Sequence, residues 1–235
     1  MARRLGDALT AKGLHASVTP RLAALPTVTP TAKPAVTPIG GLLGTGSGFD
    51  PRVSETGQKW SIDVMRKLLT DGGFQILMRD DAMGDPTGAA WTERGEIDGY
   101  GHAQGWKLAR RVMEEVGELA ERVAALLDAG WREVRVITDH GWLLLPGGLP
   151  KTELPEHLTD VRKRRCARLK PGVRFEGQTM PWHWDQDVRI ALAPGIGCFE
   201  AGKEYEHGGL SPQECVVPVV TVRAGVDPVW WTVPC

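Results

Sequence analysis

At 235 residues with 42% hydrophobic side chains, the chain has the size and composition of one globular domain, and a formal charge of −1 excludes a global basic field that would recruit nucleic acid or anionic membrane. Its cysteines, Cys166, Cys198, Cys215 and Cys235, form no C-x-x-C pair, so reduced thiols are expected rather than a zinc knuckle or redox motif. No run of about 18 apolar residues and no apolar leader is present, so neither a membrane span nor a secretory signal is expected, and the chain reads as cytoplasmic.

Leu5, Leu9 and Leu14, with Arg3, Arg4 and Lys12, give the opening residues the pattern of an amphipathic helix without an N-cap. HASVTPRLAALP reads as an extended segment and turn. TVTPTAKPAVTPIGG, preceded by Pro26, carries prolines at 30, 34 and 38 and has the composition of an extended Thr/Pro linker. Residues 40–60 read as a flexible loop. Helical spacing over Ser61–Thr70, stopped by Asp71-Gly72-Gly73, is followed by FQILM as a short buried strand, and from there to Arg94 the signal is loop.

Leu108, Val112, Val116, Leu119, Val123 and Leu126 recur at steps of four and three, which predicts a helix from Trp106 to Asp128. VRVIT then reads as a strand, and VRIALAP and CVVPVVTVRA as later ones. This alternation of strands and helices predicts an α/β domain with a mostly parallel sheet covered on both faces, whose ligands gather at the strands' C-terminal ends. VRKRRCARLK, with six basic residues in nine positions, reads as a solvated helix face or, alternatively, as a phosphate contact from Arg162 to Lys170 that would bind nucleic acid.

Three places offer carboxylate and imidazole ligands. EIDGYGH puts Asp98 and His102 four residues apart in a glycine-rich turn, Asp139-His140-Gly141 follows the VRVIT strand, and His207 lies in EHGGLS. Such groups suit a borderline divalent cation, and Asp98, His102 and His207 make a two-histidine, one-carboxylate set. Ser211 and Glu214 have capping-box spacing and read as anchors of the His207 loop. His183 between tryptophans reads as a packing residue, and His15 and His157 as surface positions.

The order of a proline-flanked threonine, IDGYGH, a helix, VITDHG and EHGG-S-x-x-E-x-x-V-P-V resembles the alkaline phosphatase superfamily, most closely its PglZ-type branch in bacteriophage-exclusion systems. The likeness spans about Leu25 to Val220. It implies a three-layer sandwich with a mostly parallel central sheet, and up to two divalent cations, zinc or alternatively manganese. Asp98, His102 and His207 would hold one cation, and Asp139 and His140 the other. It also implies a threonine nucleophile, Thr29 with Thr27 as the alternative, acting on a phosphate mono- or diester, and other phage-defence proteins as partners. The superfamily takes a further aspartate from its first strand. The chain's opening helix corresponds to the one after that strand, so the resemblance further implies an N-terminally truncated piece. A metal-poor scaffold domain is the rival expectation.

Overall fold

The computed structural model describes residues 1–78 and 83–225. In chain order the elements are α1 (Ala2–Ala11), β1 (Ala16–Leu22), α2 (Thr29–Val36), β2 (Leu43–Ser47), β3 (Asp50–Val53), α3 (Ile62–Asp71), β4 (Phe74–Leu77), β5 (Ala89–Thr92), α4 (Ile97–Gln104) and α5 (Leu108–Asp128). There follow β6 (Glu133–Ile137), β7 (Leu143–Leu144), β8 (Thr159–Arg162), β9 (Cys166–Leu169), β10 (Thr179–Trp182), β11 (Asp185–Leu192), β12 (Tyr205–Glu206), α6 (Pro212–Cys215) and β13 (Val216–Arg223).

The chain is mixed α/β, built around several small sheets. Leu5 and Leu9 of α1 meet Val116, Ala120, Val123 and Leu127 of α5 over Val220 and Val222 of β13, forming one buried cluster. Each buried leucine or valine here contributes about 1.5–3 kcal/mol by leaving water. α1 has no side-chain cap, as its sequence indicates, and Lys12 Nζ to Glu121 Oε1 (2.6 Å) fastens its end to α5.

Under these helices lies a three-stranded sheet in the order β1-β13-β6, with β13 antiparallel to both neighbours. Among the described strands only β4 and β5 pair in parallel, which corrects the mostly parallel arrangement expected from the alternation of strands and helices. The reason is topological. β1 and β6 do run the same way, but the chain after β6 builds a second antiparallel sheet, β10-β11-β9-β8, and returns as β13 in the space between them.

Four other expectations change. The Thr/Pro stretch is not an extended linker: Thr29–Val36 is helical, because Pro30 sits at the helix start, where its missing N–H costs nothing, and Thr31, Ala32 and Val36 are buried. Pro34 does interrupt the bonding, and the helix stops after eight residues with Thr37 Oγ1 donating to Pro34 O (2.6 Å). Residues 40–60 form a hairpin, β2–β3, rather than a loop, since Leu43, Val53 and Trp60 are buried in one cluster with Met65 and Leu69 of α3. The basic run is not a helix but the β8–β9 hairpin. Residues Ala89–Thr92, read as loop, pair with β4. Ser61 caps α3, accepting from Val64 N (3.2 Å), and α5 starts within two residues of its expected position.

Cys166, Cys198 and Cys215 are buried free thiols, while Cys235 lies outside the described residues. No helix among the described residues is long and apolar enough to cross a membrane.

Candidate metal centre

Each ligand-bearing motif is held by a local feature of the sequence. EIDGYGH is a helix, α4, rather than the expected turn. Asp98 in its first turn and His102 in its last are four residues apart and so share one helix face. Gly101 is on that face too, and a Cβ there would come within 2.5 Å of the Tyr205 ring, so the glycine lets β12 approach the helix backbone. Asp139 and His140 leave the C-terminal end of β6. Gly141, next in line, has no room for a Cβ because the Gln213 carbonyl fills that space, and its N–H donates to Glu214 O (2.9 Å). The short β7–β12 ladder, Leu144 opposite Tyr205 and Leu143 opposite Glu206, brings the segment after DHG beside the segment before His207.

The result is convergence. His102 Nε2 lies 3.1 Å from His207 Nε2 and 3.5 Å from Asp98 Oδ1, and His207 Nε2 lies 3.3 Å from the same carboxylate oxygen. A tetrahedral zinc with bonds of about 2.0–2.1 Å puts its ligand atoms about 3.3 Å apart. The observed triangle has the edges such an ion requires. His140 is adjacent: its ring stacks on His207 with centroids 3.8 Å apart, and Asp98, His140 and His207 all offer ligand atoms within 4.8 Å of one another.

The ring nitrogens are sorted by their partners. His207 Nδ1 faces Thr27 O at 2.7 Å and His140 Nδ1 faces Gly141 O at 3.0 Å, so each Nδ1 donates and each Nε2 keeps its lone pair. His102 then donates from Nε2 to His207, and Arg164 Nη1, 3.3 Å away, donates to its Nδ1. A cation on His102 Nε2 would move that proton to Nδ1, where Glu206 Oε1 stands 3.8 Å off. Burial pushes the Glu206 carboxyl up to about 7, against the pull of Arg164.

Burial is also the main cause that lowers His102 and brings His207 down to about 4, with the neighbouring His140 adding to the effect on His207. Both rings are neutral near pH 7, the form that binds metal. The unfolded His207 imidazole protonates near 6.5, whereas the folded one stays neutral until about 4. The unfolded chain therefore binds more protons between those values, and acid in that window favours unfolding. Melting temperature measured in chelator is expected to fall from pH 6.5 towards 4, with a shallower slope in His207→Gln; equal slopes would contradict the assignment.

Thr29 is the first residue of α2, and its Oγ1 lies 3.2 Å from His140 Nε2, to which it donates. Thr27 is fully buried; its hydroxyl donates to Gly209 O (3.1 Å) and accepts from Gly208 N (3.0 Å), so it holds the His207 loop and its proton is already committed. Asp139 Oδ2 lies 3.6 Å from His140 Nε2, at the margin of the cluster. Tyr205 and Glu206 stand out in no sequence motif, and Arg164 is distinguished only as a member of the basic run. The signal was present in E-Y-E-H, where the period-2 alternation of a strand decides which side chains flank His207.

A cleft of about 1020 Å³ opens over these groups, lined by Thr29, Asp98, His102 and His207 on one side and by Lys151, Lys163 and Phe199 among others. The basic run reaches it but is mostly engaged internally. Arg162 donates to Leu154 O and Phe199 O, and Arg164 pairs with Glu200 (3.0 Å) and Glu206 (2.9 Å). Arg168 donates to Gly48 O and Lys170 to His157 O. Arg165 has no exposed surface and grips Glu214 through two bonds of 2.8 and 2.9 Å. Glu214 in turn accepts from Gly209 N (2.8 Å) and Ser211 N (3.2 Å), so the Ser211–Glu214 cap is one end of a buried strut behind the His207 loop. His183 packs edge-on against Trp184, and His15 and His157 are exposed. Neither a scan against protein-family models nor a search of curated proteins finds a match for the chain.

Proposed function

We propose that the protein is a metal-dependent phosphohydrolase of the alkaline-phosphatase type, with Thr29 as nucleophile and one divalent cation held by Asp98, His102 and His207. The carrying observation is the Asp98–His102–His207 triangle, with edges of 3.1–3.5 Å, next to a threonine hydroxyl that donates to an imidazole. Three protein ligands leave a zinc an open position, as catalytic sites do, whereas adding His140 would close it. The two-nitrogen, one-oxygen donor set suits zinc, with manganese the alternative. When bound, the cation would supply Lewis-acid stabilisation of the negative charge that develops on oxygen.

The chain's own groups account for the proton. A threonine hydroxyl is a weak nucleophile at neutral pH, and His140 Nε2 lies where it can accept the proton as Oγ1 attacks phosphorus. The Oγ1–P bond forms as the bond to the leaving oxygen breaks, and the imidazolium returns the proton to that oxygen. Water then attacks the threonyl phosphate with His140 again as base, which restores Thr29. Asp139, beside His140, would complete a second cation site only together with that ring.

Among phosphoesters, the width of the cleft admits substituents far larger than a phosphoryl group. The motif order places the reading closest to PglZ-type proteins of phage defence, working in the cytoplasm with the other proteins of that system. Nucleic-acid binding through Arg162–Lys170 is disfavoured by the internal bonds that Arg162, Arg164, Arg165, Arg168 and Lys170 make. Elemental analysis tests the reading, with about one zinc or manganese expected per chain and loss of it in His207→Ala. A metal-free protein would instead support the scaffold.

A further inference from the structure

Tyr205 is buried against the triangle formed by Asp98, His102 and His207. This side chain is 3% exposed, and its hydroxyl donates to Asp98 Oδ1 at 2.9 Å. That oxygen is the one that faces both His102 Nε2 and His207 Nε2. The ring also meets His102 edge-on, with centroids 5.0 Å apart, and rests against Gly101 where a side chain could not fit.

Asp98 itself has little to hold it. It is 43% exposed, on the first turn of a short helix, free to swing its carboxylate into water. We propose that Tyr205 is a positioning residue that selects the Asp98 rotamer and presents Oδ1 to the cation, so that the three ligand atoms are already at their bonding separations before metal arrives. Outer partners of this kind typically change metal affinity by about 10–100-fold when removed. This inference rests on the metal reading above and concerns only how tightly the ion is held.

The spacing of the motif follows from it. Asp98, Gly101 and His102 lie at i, i+3 and i+4 on one face of α4, so the glycine makes a notch between the two ligands, and the phenol fills it. Tyr205 precedes His207 by two residues, so its position and that of the third ligand are fixed by the same short ladder.

The test is Tyr205→Phe, which keeps the ring and deletes the hydroxyl, compared with the unaltered protein by titration with cobalt(II) and by zinc competition against a chromophoric chelator. We expect the zinc affinity to fall about 10–100-fold and the visible cobalt bands to weaken and shift, while far-ultraviolet circular dichroism of the metal-free proteins stays alike. Gly101→Ala, which pushes the ring out of its notch, should lower affinity in the same direction. Equal affinity and identical cobalt spectra in Tyr205→Phe would overturn the positioning role and leave the metal site standing. No binding of either ion by the unaltered protein would overturn the metal reading beneath it.

Discussion

Thr29→Ala is expected to lower turnover of an aryl phosphate ester by about 10⁴-fold or more while leaving the metal content unchanged. Loss of a covalent nucleophile removes the reaction path itself, and only residual acceleration from binding and charge stabilisation survives. The metal content should hold because Thr29 touches His140 and none of Asp98, His102 and His207 through its hydroxyl. Thr29→Ser should retain measurable turnover, and Thr27→Ala should act chiefly on stability, since that hydroxyl ties Gly208 and Gly209 in place. Both mono- and diester probes belong in the assay. Undiminished turnover by Thr29→Ala on whichever probe is cleaved would remove Thr29 from the mechanism.

The second large effect is on folding. Arg165→Met strands the Glu214 carboxylate with no exposed surface and no cation, and breaking one partner of such a buried pair costs about 3–5 kcal/mol. Denaturant unfolding of the metal-free protein measures this directly, and a loss below about 1 kcal/mol would mean that the interior tolerates the lone charge. The double variant Arg165→Met, Glu214→Leu should recover part of the loss because no orphan charge remains. Full recovery is not expected, since Gly209 N–H and Ser211 N–H lose their acceptor.

The candidate ligands are legible because chemistry restricts residue type. Aspartate and histidine four apart, an Asp-His-Gly after an apolar strand, and a histidine in a glycine loop are recognisable without knowing the backbone, and the fold brings all three together. Their secondary structure was less visible. The glycines of EIDGYGH suggest a turn, yet it is helical, with the Tyr205 ring packed where a Gly101 side chain would be. The composition of the Thr/Pro segment suggests a linker, and burial of Thr31, Ala32 and Val36 overrides it.

Sheet direction was the least accessible feature. Local pattern assigns strands, but nothing in VRVIT or CVVPVVTVRA records that one inserts beside the other in the opposite sense after a long detour. The basic run shows a similar limit. Six positive charges within nine positions look like a surface meant for an anion, whereas Arg165 points inward to a carboxylate 49 residues later in the chain. Tyr205 and Glu206 were hidden because their meaning depends on which way each faces from a two-residue strand.

The β7–β12 ladder has an evolutionary consequence. The chain departs at Leu145 and comes back at Glu204, and these ends are stitched by Leu145 N–H to Glu204 O at 2.8 Å and Leu149 N–H to Lys203 O at 2.7 Å. Everything between them is an excursion closed at its base, the circumstance in which insertions are best tolerated. Lys151, Lys163 and Phe199, which form the far wall of the cleft, all belong to it. With Arg165 kept on Glu214, Arg164 on His102 and Glu206, and Trp182 and Trp184 on Thr31, the rest of that wall can be rebuilt for a differently shaped molecule while Thr29, Asp98, His102, His140 and His207 stay where they are.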